Sequence, residues 1–442
     1  MYLPFKLFKF IFCTLLLINS ILCYDPPKRK FHNSLIIDDR LLIFSGWTNI
    51  DDYTYELFYL DLSKSFDNYN LTWTLIPEGN LPIYTYRSTA VLSLDNSTIY
   101  LYGGFMTNKN LAYDYSNLVY TYDYPTSTWS TPNLGGDIVP PRQNIKGVMD
   151  NSGTIYIFGG YNATNLTTSS GHLYNDMNIL KTVSNTWKTL TTSGNLPFLC
   201  AEYTANILPN GNIVYIGGIE KVSADANFSS VDMNKIKLFD TNKLEWSQMN
   251  ATGIEIVPRW YFSSVLTPDG YIIILGGRTY SATNDDLKSV SPKLATLDTN
   301  KNPFEWSIPS NSVVNAPPSI YGHTANLYGD YMIVTFGVEL DTELYTSQVY
   351  LYNIKNNKWV TTFSPPDNKT TTTTTSSTAP STTTKPTITT SPTKKSSKSL
   401  AIGLGAAIGV AFLISCIFIT TFIVRRTREP APEIFETPGS NQ

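Results

Sequence analysis

The chain has 442 residues, 42% of them hydrophobic and 29 of them tyrosine, with a formal net charge of −3. Its apolar content is ample for a sizeable core, and its length allows two or three ordinary domains or one large unit made of many small ones. Residues 24–364 carry 22 basic against 31 acidic side chains, a net −9, which makes nucleic acid and anionic lipid poor partners.

Residues 1–23, "MYLPFKLFKFIFCTLLLINSILC", hold two lysines, an apolar stretch and then small or polar residues. That is the form of a secretory signal peptide, although Ile21 and Cys23 are unusual ahead of a cleavage point. A retained N-terminal anchor is the alternative.

Beyond it a pattern recurs. "TIYLYGG" at Thr98, "TIYIFGG" at Thr154, "NIVYIGG" at Asn212 and "GYIIILGG" at Gly270 are apolar runs closed by paired glycines. Their second glycines are Gly104, Gly160, Gly218 and Gly277, with weaker copies at Gly46 ("IFSGW") and Gly337 ("VTFGV"), at intervals of 56 to 60 residues. Each is followed by a polar loop, another apolar stretch and a tryptophan: Trp73, Trp129, Trp187, Trp246, Trp306 and Trp359. A fixed period of this kind marks a repeat architecture.

Within a unit the β-branched and aromatic runs, bounded by "PDG", "PNG" or "NSG", predict strands joined by tight turns. "RSTAVLSL" from Arg87 and "RWYFSSVLT" from Arg259 add a strand before the glycines. "LVYTYDYPTSTW" from Leu118 adds two after them, the last carrying the tryptophan. Four antiparallel strands per unit follow, over about 30–75, 84–131, 139–190, 197–249, 256–308 and 316–361. One such sheet cannot bury both its faces, so six should stack radially.

Paired glycines closing one strand, a Tyr or Phe with Asp or Asn in the next, and a Trp in the last resemble the kelch repeat, the blade motif of galactose-oxidase-type β-propellers. The resemblance covers about residues 30 to 364 and implies an all-β, six-bladed kelch-type β-propeller of four-stranded antiparallel blades. Paired glycines permit positive φ and close backbone approach at a blade's inner edge, and the indole supplies a large plate between blades. No "GKS" or "GxGxxG" follows the glycines, so they are not expected to cradle phosphate.

The resemblance also raises galactose oxidase, a copper-radical enzyme whose relatives use two tyrosines, one cross-linked to a cysteine, and two histidines. The only histidines here are His32, His172 and His323, scattered over separate units with His172 in a loop, and they offer no adjacent Tyr-His pair of that type. No catalytic residue, cofactor or metal is therefore expected. Asp51–Asp52 and Asp285–Asp286 lack the spacing of a calcium loop and read as solvated carboxylates. Arg87, Arg142 and Arg259, which open three units, read as scaffold positions at blade junctions. Cys13 and Cys23 belong to the leader and Cys416 to the last apolar run, so Cys200 stands alone in 24–364 and reads as a small apolar residue facing into its sheet.

The loops after the glycines are long and dissimilar, and loops on a rigid scaffold carry recognition. Phe105, Tyr113, Tyr161, Phe228, Arg278 and Tyr280 are the candidate contacts for a protein or carbohydrate ligand. Asn70, Asn96, Asn162, Asn165, Asn227, Asn250 and Asn368 each begin an Asn-X-Ser/Thr acceptor. Asn162, Asn165 and Asn227, in long loops, are the better acceptors, and Asn96 stands in a tight turn.

Residues 365–399 are rich in Thr, Ser and Pro, a composition that suits an O-glycosylated stalk or a plain flexible tether. Residues 400–424 are 25 without a charge, about 37 Å as a helix, which predicts one transmembrane α-helix. "RRTR" at Arg425 opens the 425–442 tail and favours a cytoplasmic C-terminus. The sequence therefore describes a single-pass cell-surface or secretory-membrane glycoprotein with a protein- or glycan-binding propeller outside. A copper oxidase of carbohydrate alcohols and a purely structural surface glycoprotein are the alternatives.

Overall fold

The computed structural model describes residues 24–48, 54–162, 171–191, 194–280, 287–310 and 313–366. The leader 1–23, stalk residues 367–399, the apolar run 400–424, the tail, Asn165, Asn368 and the acidic pairs at 51–52 and 285–286 lie outside the described residues. Among the described residues no helix is long and apolar enough to cross a membrane.

The glycine-terminated strands have apolar side chains on both faces, as in "RLLIF" of Arg40–Phe44 and "YIIIL" of Tyr271–Leu275, whose last four residues are buried in each case. A strand of that kind needs cover on both sides, since successive side chains point to opposite faces. Among the described residues six sheets of four or five strands supply it. The first comprises, in spatial order, Asn33–Ile37, Arg40–Phe44, Leu57–Asp61 and Trp73–Leu75, all antiparallel. The others repeat the order from Thr89–Leu92 to Thr128–Ser130, Val148–Met149 to Thr186–Leu190, Thr204–Ile207 to Glu245–Asn250, Ser263–Leu266 to Glu305–Ser307, and Thr324–Tyr328 to Lys358–Val360. In the third and fifth sheets a linker segment, Gly135–Gly136 or Thr252–Gly253, adds a parallel fifth strand beside the tryptophan strand.

The first strand of each sheet touches the first strand of the next, and Thr324–Tyr328 of the sixth touches Asn33–Ile37 of the first. Apolar clusters fill the gaps in turn. Phe44 and Tyr122 lie between the first two sheets, then Ile157 and Trp187, Phe158 and Trp246, Ile274 and Trp306, Val334 and Trp359, and finally Phe58 and Trp73 against Ile333. Each recurring tryptophan falls in a different cluster. Trp129, half-buried in the first, donates its indole N–H to the Gly79 carbonyl at 2.8 Å. The segments that flank the six sheets are tied in beside the first of them: Tyr24 bridges to Trp73, and Thr362–Phe363 pairs with Phe66–Asp67.

Neighbouring sheets are also hooked together through the backbone. The N–H of Gly277 donates to the Ile320 carbonyl at 2.9 Å. Gly46, Gly104 and Gly218 donate likewise to the carbonyls of Thr85, Arg142 and Arg259, and Gly337 reaches round to Arg29. Gly276 and Gly277 take φ of +64° and +91°, and a β-carbon on Gly277 would stand 2.8 Å from Phe262 Cβ and 2.9 Å from the Trp260 carbonyl oxygen. In the two weaker copies Ser45 and Phe336 hold the first glycine's place at φ of 60° and 55°. The geometry is kept there although the glycine is not. Gly277→Val should lower stability by about 1–3 kcal/mol, read as a lower thermal midpoint. Gly194→Val, at φ +87° with nothing within 4 Å of its β-carbon, should cost less. Equal losses would show that packing at Gly277 contributes nothing.

Candidate functional site

The carbonyls that receive these hooks belong to Arg29, Thr85, Arg142, Arg259 and Ile320, at the entries to five of the six sheets, the fourth being the exception among the described residues. Three of the entries are buried arginines that also grip the glycine strand. Arg29 donates to the Ser45 carbonyl at 3.0 Å, Arg142 to Gly159 at 2.8 Å and Arg259 to Gly276 at 3.3 Å. Thr85 does the same for its sheet, its hydroxyl donating to the Gly103 carbonyl at 3.0 Å. Arg142 is further held by both oxygens of Asp176, at 2.5 and 2.7 Å. Burial pushes Arg259 down to about 9. The sequence grouping of Arg87 with Arg142 and Arg259 is therefore corrected. Arg29 is the third equivalent, and Arg87 stands two residues beyond the entry position.

That later position defines the axis. Phe31, Arg87, Asn144, Glu202, Tyr261 and Gly322 occupy it, all at φ between 55° and 65°. Their backbones form a chain of hydrogen bonds: Arg87 N–H to Phe31, Asn144 to Arg87, Glu202 to Asn144, Gly322 to Tyr261 and Phe31 to Gly322. All six line a cavity of about 150 Å³. Five positions carry different side chains, so the turn is repeated while the chemistry varies.

At its mouth cations and rings interleave. The Arg87 guanidinium lies 4.7 Å from the Phe31 ring and 5.3 Å from Tyr261. Arg278 lies 4.9 Å from Tyr261 and 4.7 Å from Tyr321. The Lys30 ammonium sits 5.5 Å from Phe31, 5.7 Å from Tyr321 and 5.0 Å from Tyr345. Such contacts orient cations without neutralising them. The carboxylate among them, Glu202, is already engaged, accepting from the Tyr261 hydroxyl at 2.6 Å and from Asn144 Nδ2 at 3.1 Å. Burial raises its pKa against the pull of Arg87. Burial first, then the charges of Arg87 and Arg278, push Lys30 down to about 8 against the opposing pull of Glu343. The Nε atoms of Arg87 and Arg278 are buried with no hydrogen-bond partner among the described residues.

Of the six loop residues singled out from sequence, Arg278 reaches this axis. Phe105 is a correction. It is 2% exposed, packed with Tyr84 and Tyr86, because the loop folds back as a short strand, Phe105–Thr107, paired with Tyr84–Tyr86. Tyr113 is exposed at its edge, Phe228 lies exposed under Lys221, and Tyr280 packs tilted against buried Trp260. Tyr161 is half-buried. His172 begins the strand His172–Lys181 and so is not a loop residue. His32 and His323 are buried, their Nε2 atoms on the hydroxyls of Thr335 and Ser263 at 3.2 and 2.8 Å. Cys200 is buried between sheets, its thiol pushed up to about 11 by burial. Asn70, Asn96, Asn227 and Asn250 are exposed, Asn96 in a turn at φ 57°. Asn162 ends a strand, half-buried, with its amide on the Tyr174 hydroxyl. Among the described residues no cluster of three or more His, Cys, Asp or Glu stands ready for a metal.

Repeated antiparallel sheets hooked through glycines around a common cavity are the architecture of a kelch β-propeller, and the chain belongs to the kelch-repeat family. The profile of the KLHDC2/KLHL20/DRC7 Kelch-repeats domain matches residues 31–277 and 225–388. Over 262 residues the chain is 27% identical to Kelch domain-containing protein 3 of Bos taurus and 25% identical to that of Homo sapiens. Those alignments take in 57% of this chain and 64% of each relative, so the chain spans less than two thirds of their length. Acyl-CoA-binding domain-containing protein 5 of Arabidopsis thaliana is 22% identical over 327 residues, 71% of this chain and 45% of that protein. The solved structure of YjhT shares the fold, with a TM-score of 0.57 at 13% identity over 77% of this chain and 99% of that one.

The Arg142–Asp176 pair gives a pH-dependent prediction. Burial alone would raise the Asp176 carboxyl, but the hydrogen bonds and charge of Arg142 outweigh it and hold it low. A depressed carboxyl stabilises the fold above its unfolded pKa of about 4, and that contribution is lost as pH falls through the folded value. Asp176→Ala should cost about 3 kcal/mol at neutral pH by stranding a buried guanidinium. Its deficit against the parent in denaturant titrations should shrink below pH 4 or so. A deficit that stays constant down to acid pH would contradict this account.

Proposed function

We propose that the six sheets act as the blades of one closed propeller and that this propeller is a protein-binding module, its partner presenting an acidic group to the axis mouth. One observation carries the reading: Lys30, Arg87 and Arg278 converge there against Glu202, already engaged, and Glu343, which acts on Lys30, in a propeller whose net charge is −9. Cations inside an otherwise acidic surface select a complementary partner and reject others. The rings they rest on supply the rigid apolar contact area that interface anchors need. Tyr113, Phe228 and Tyr280, exposed on separate units, extend the surface outward.

The reading is non-catalytic. Copper chemistry of the galactose-oxidase kind would need ligands that His32 and His323, both bonded to hydroxyls, and the enclosed Cys200 are poorly set to provide. Stoichiometric copper in the purified protein would revive that alternative.

We further propose that the propeller is a cell-surface or secretory-lumen module, tethered by residues 365–399 to a single span at 400–424. The support is the uncharged length of that span, the leader-like start and four exposed acceptor asparagines. Expression in a eukaryotic cell should give a protein whose mass falls on N-glycosidase treatment. Quadruple Asn→Gln replacement at 70, 96, 227 and 250 should remove most of that shift. An unglycosylated product found only in the cytosol would exclude the tethered reading while leaving the binding one intact.

For the site itself, peptides selected from a display library on the full-length protein should be enriched in Asp, Glu or free carboxyl termini. Arg278→Glu and Lys30→Glu should each weaken them at least tenfold. Binding should also weaken as pH rises through about 8, where Lys30 loses its proton, and Lys30→Met should flatten that dependence. Peptides without acidic preference, or variants that bind as well as the parent, would overturn the assignment.

A further inference from the structure

Below the mouth the same cavity holds a cation of another kind. Lys146 lines it, two residues past the axis position of its unit, with its side chain exposed within the cavity. Burial lowers the pKa of its ammonium, and no other charge contributes. Among the described residues Lys146 has no salt bridge, whereas the sheet lysine Lys237 is answered by Glu220 at 2.9 Å. An ammonium that faces a concave, partly desolvated wall without a counter-charge is open to an anion.

The other groups facing it do not answer that charge. Arg87 is a cation, and the Glu202 carboxylate is taken by Tyr261 and Asn144. His32 and His323 are pulled low by burial and stay neutral.

Hydrogen-bond donors, by contrast, are left over. Ser88 Oγ accepts from Asn33 Nδ2 at 2.8 Å, Ser264 Oγ from Asn206 Nδ2 at 2.8 Å, and Ser34 Oγ from Asn326 Nδ2. Each link crosses from one sheet to the next and leaves the serine O–H free to donate. All three serines line the cavity, and among the described residues none of their protons has an acceptor. A volume of about 150 Å³ admits a group of a few heavy atoms together with some water.

We propose that the axial cavity is a binding site for a small oxyanion, a phosphate, sulfate or short carboxylate, held by the Lys146 ammonium with Ser34, Ser88 and Ser264 donating to it. The site shares the cavity with Arg87 of the mouth but is built from other residues and does not depend on the partner-binding reading. It would let an anion tie together sheets that meet at the axis.

The test follows the thermal midpoint of the full-length protein, in mild detergent, against added phosphate, sulfate or acetate, with chloride holding ionic strength constant. At least one of the three should raise the midpoint saturably, as a ligand of the native state does. Lys146→Met should weaken the half-saturating concentration at least tenfold. Should that variant fail to fold, the double replacement Ser88→Ala with Ser264→Ala should weaken it several-fold. Arg278→Glu, at the mouth, should leave it unchanged. The inference is overturned by no saturable shift with any anion, by an unaltered response in the Lys146 or serine variants, or by loss of the response in Arg278→Glu.

Discussion

The structure depends on a backbone hydrogen bond repeated between neighbouring sheets. A glycine N–H at the end of one inner strand donates to a carbonyl at the entry of the next unit, and the last, Gly337 to Arg29, joins the end of the series to its beginning. The bond requires two backbones to meet where side chains would otherwise stand. That is why the glycines are paired and why Gly277 has no room for a β-carbon. Once the hooks set the spacing, the gaps between sheets are wide enough for an indole. Each gap takes one of the recurring tryptophans.

The buried arginines belong to the same constraint. The carbonyls at the ends of the glycine strands leave their ladders and need donors deep in the protein. Arg29, Arg142 and Arg259 supply them, and Thr85 replaces the arginine with a hydroxyl in the second unit. The scaffold therefore fixes a backbone turn two residues later, whatever side chain sits there. Positions released from structural duty in this way are free to carry chemistry, and at the axis mouth they carry rings and cations.

Legibility followed that division. The glycine and tryptophan register, the strand count within a unit and the burial of Cys200 could be read in the chain, because each is a demand of local backbone or apolar packing that recurs. Phe105 could not be placed. An aromatic after the glycines looks the same whether its loop projects or folds back as a strand, and here Phe105–Thr107 pairs with Tyr84–Tyr86 and covers the ring. Arg87 resembles Arg142 and Arg259 in sequence because a two-residue offset is invisible when the entry positions of the other units hold Thr85, Cys200 and Ile320. Lys30, Phe31, Glu202, Tyr261 and Lys146 carry no signal of their own: nothing in a lysine or a glutamate shows that five other units bring unlike residues against it.

By itself the sequence determined the repeating sheet, its antiparallel strands and the places where only glycine fits, since these follow from φ preferences and the alternation of apolar side chains along one strand. Only the tertiary structure decided the site. Side chains from units some 56 to 61 residues apart, at positions 31, 87, 144, 202, 261 and 322, meet around one cavity because the sheets close on each other. The charge balance there is a sum over the ring that no single stretch of chain contains.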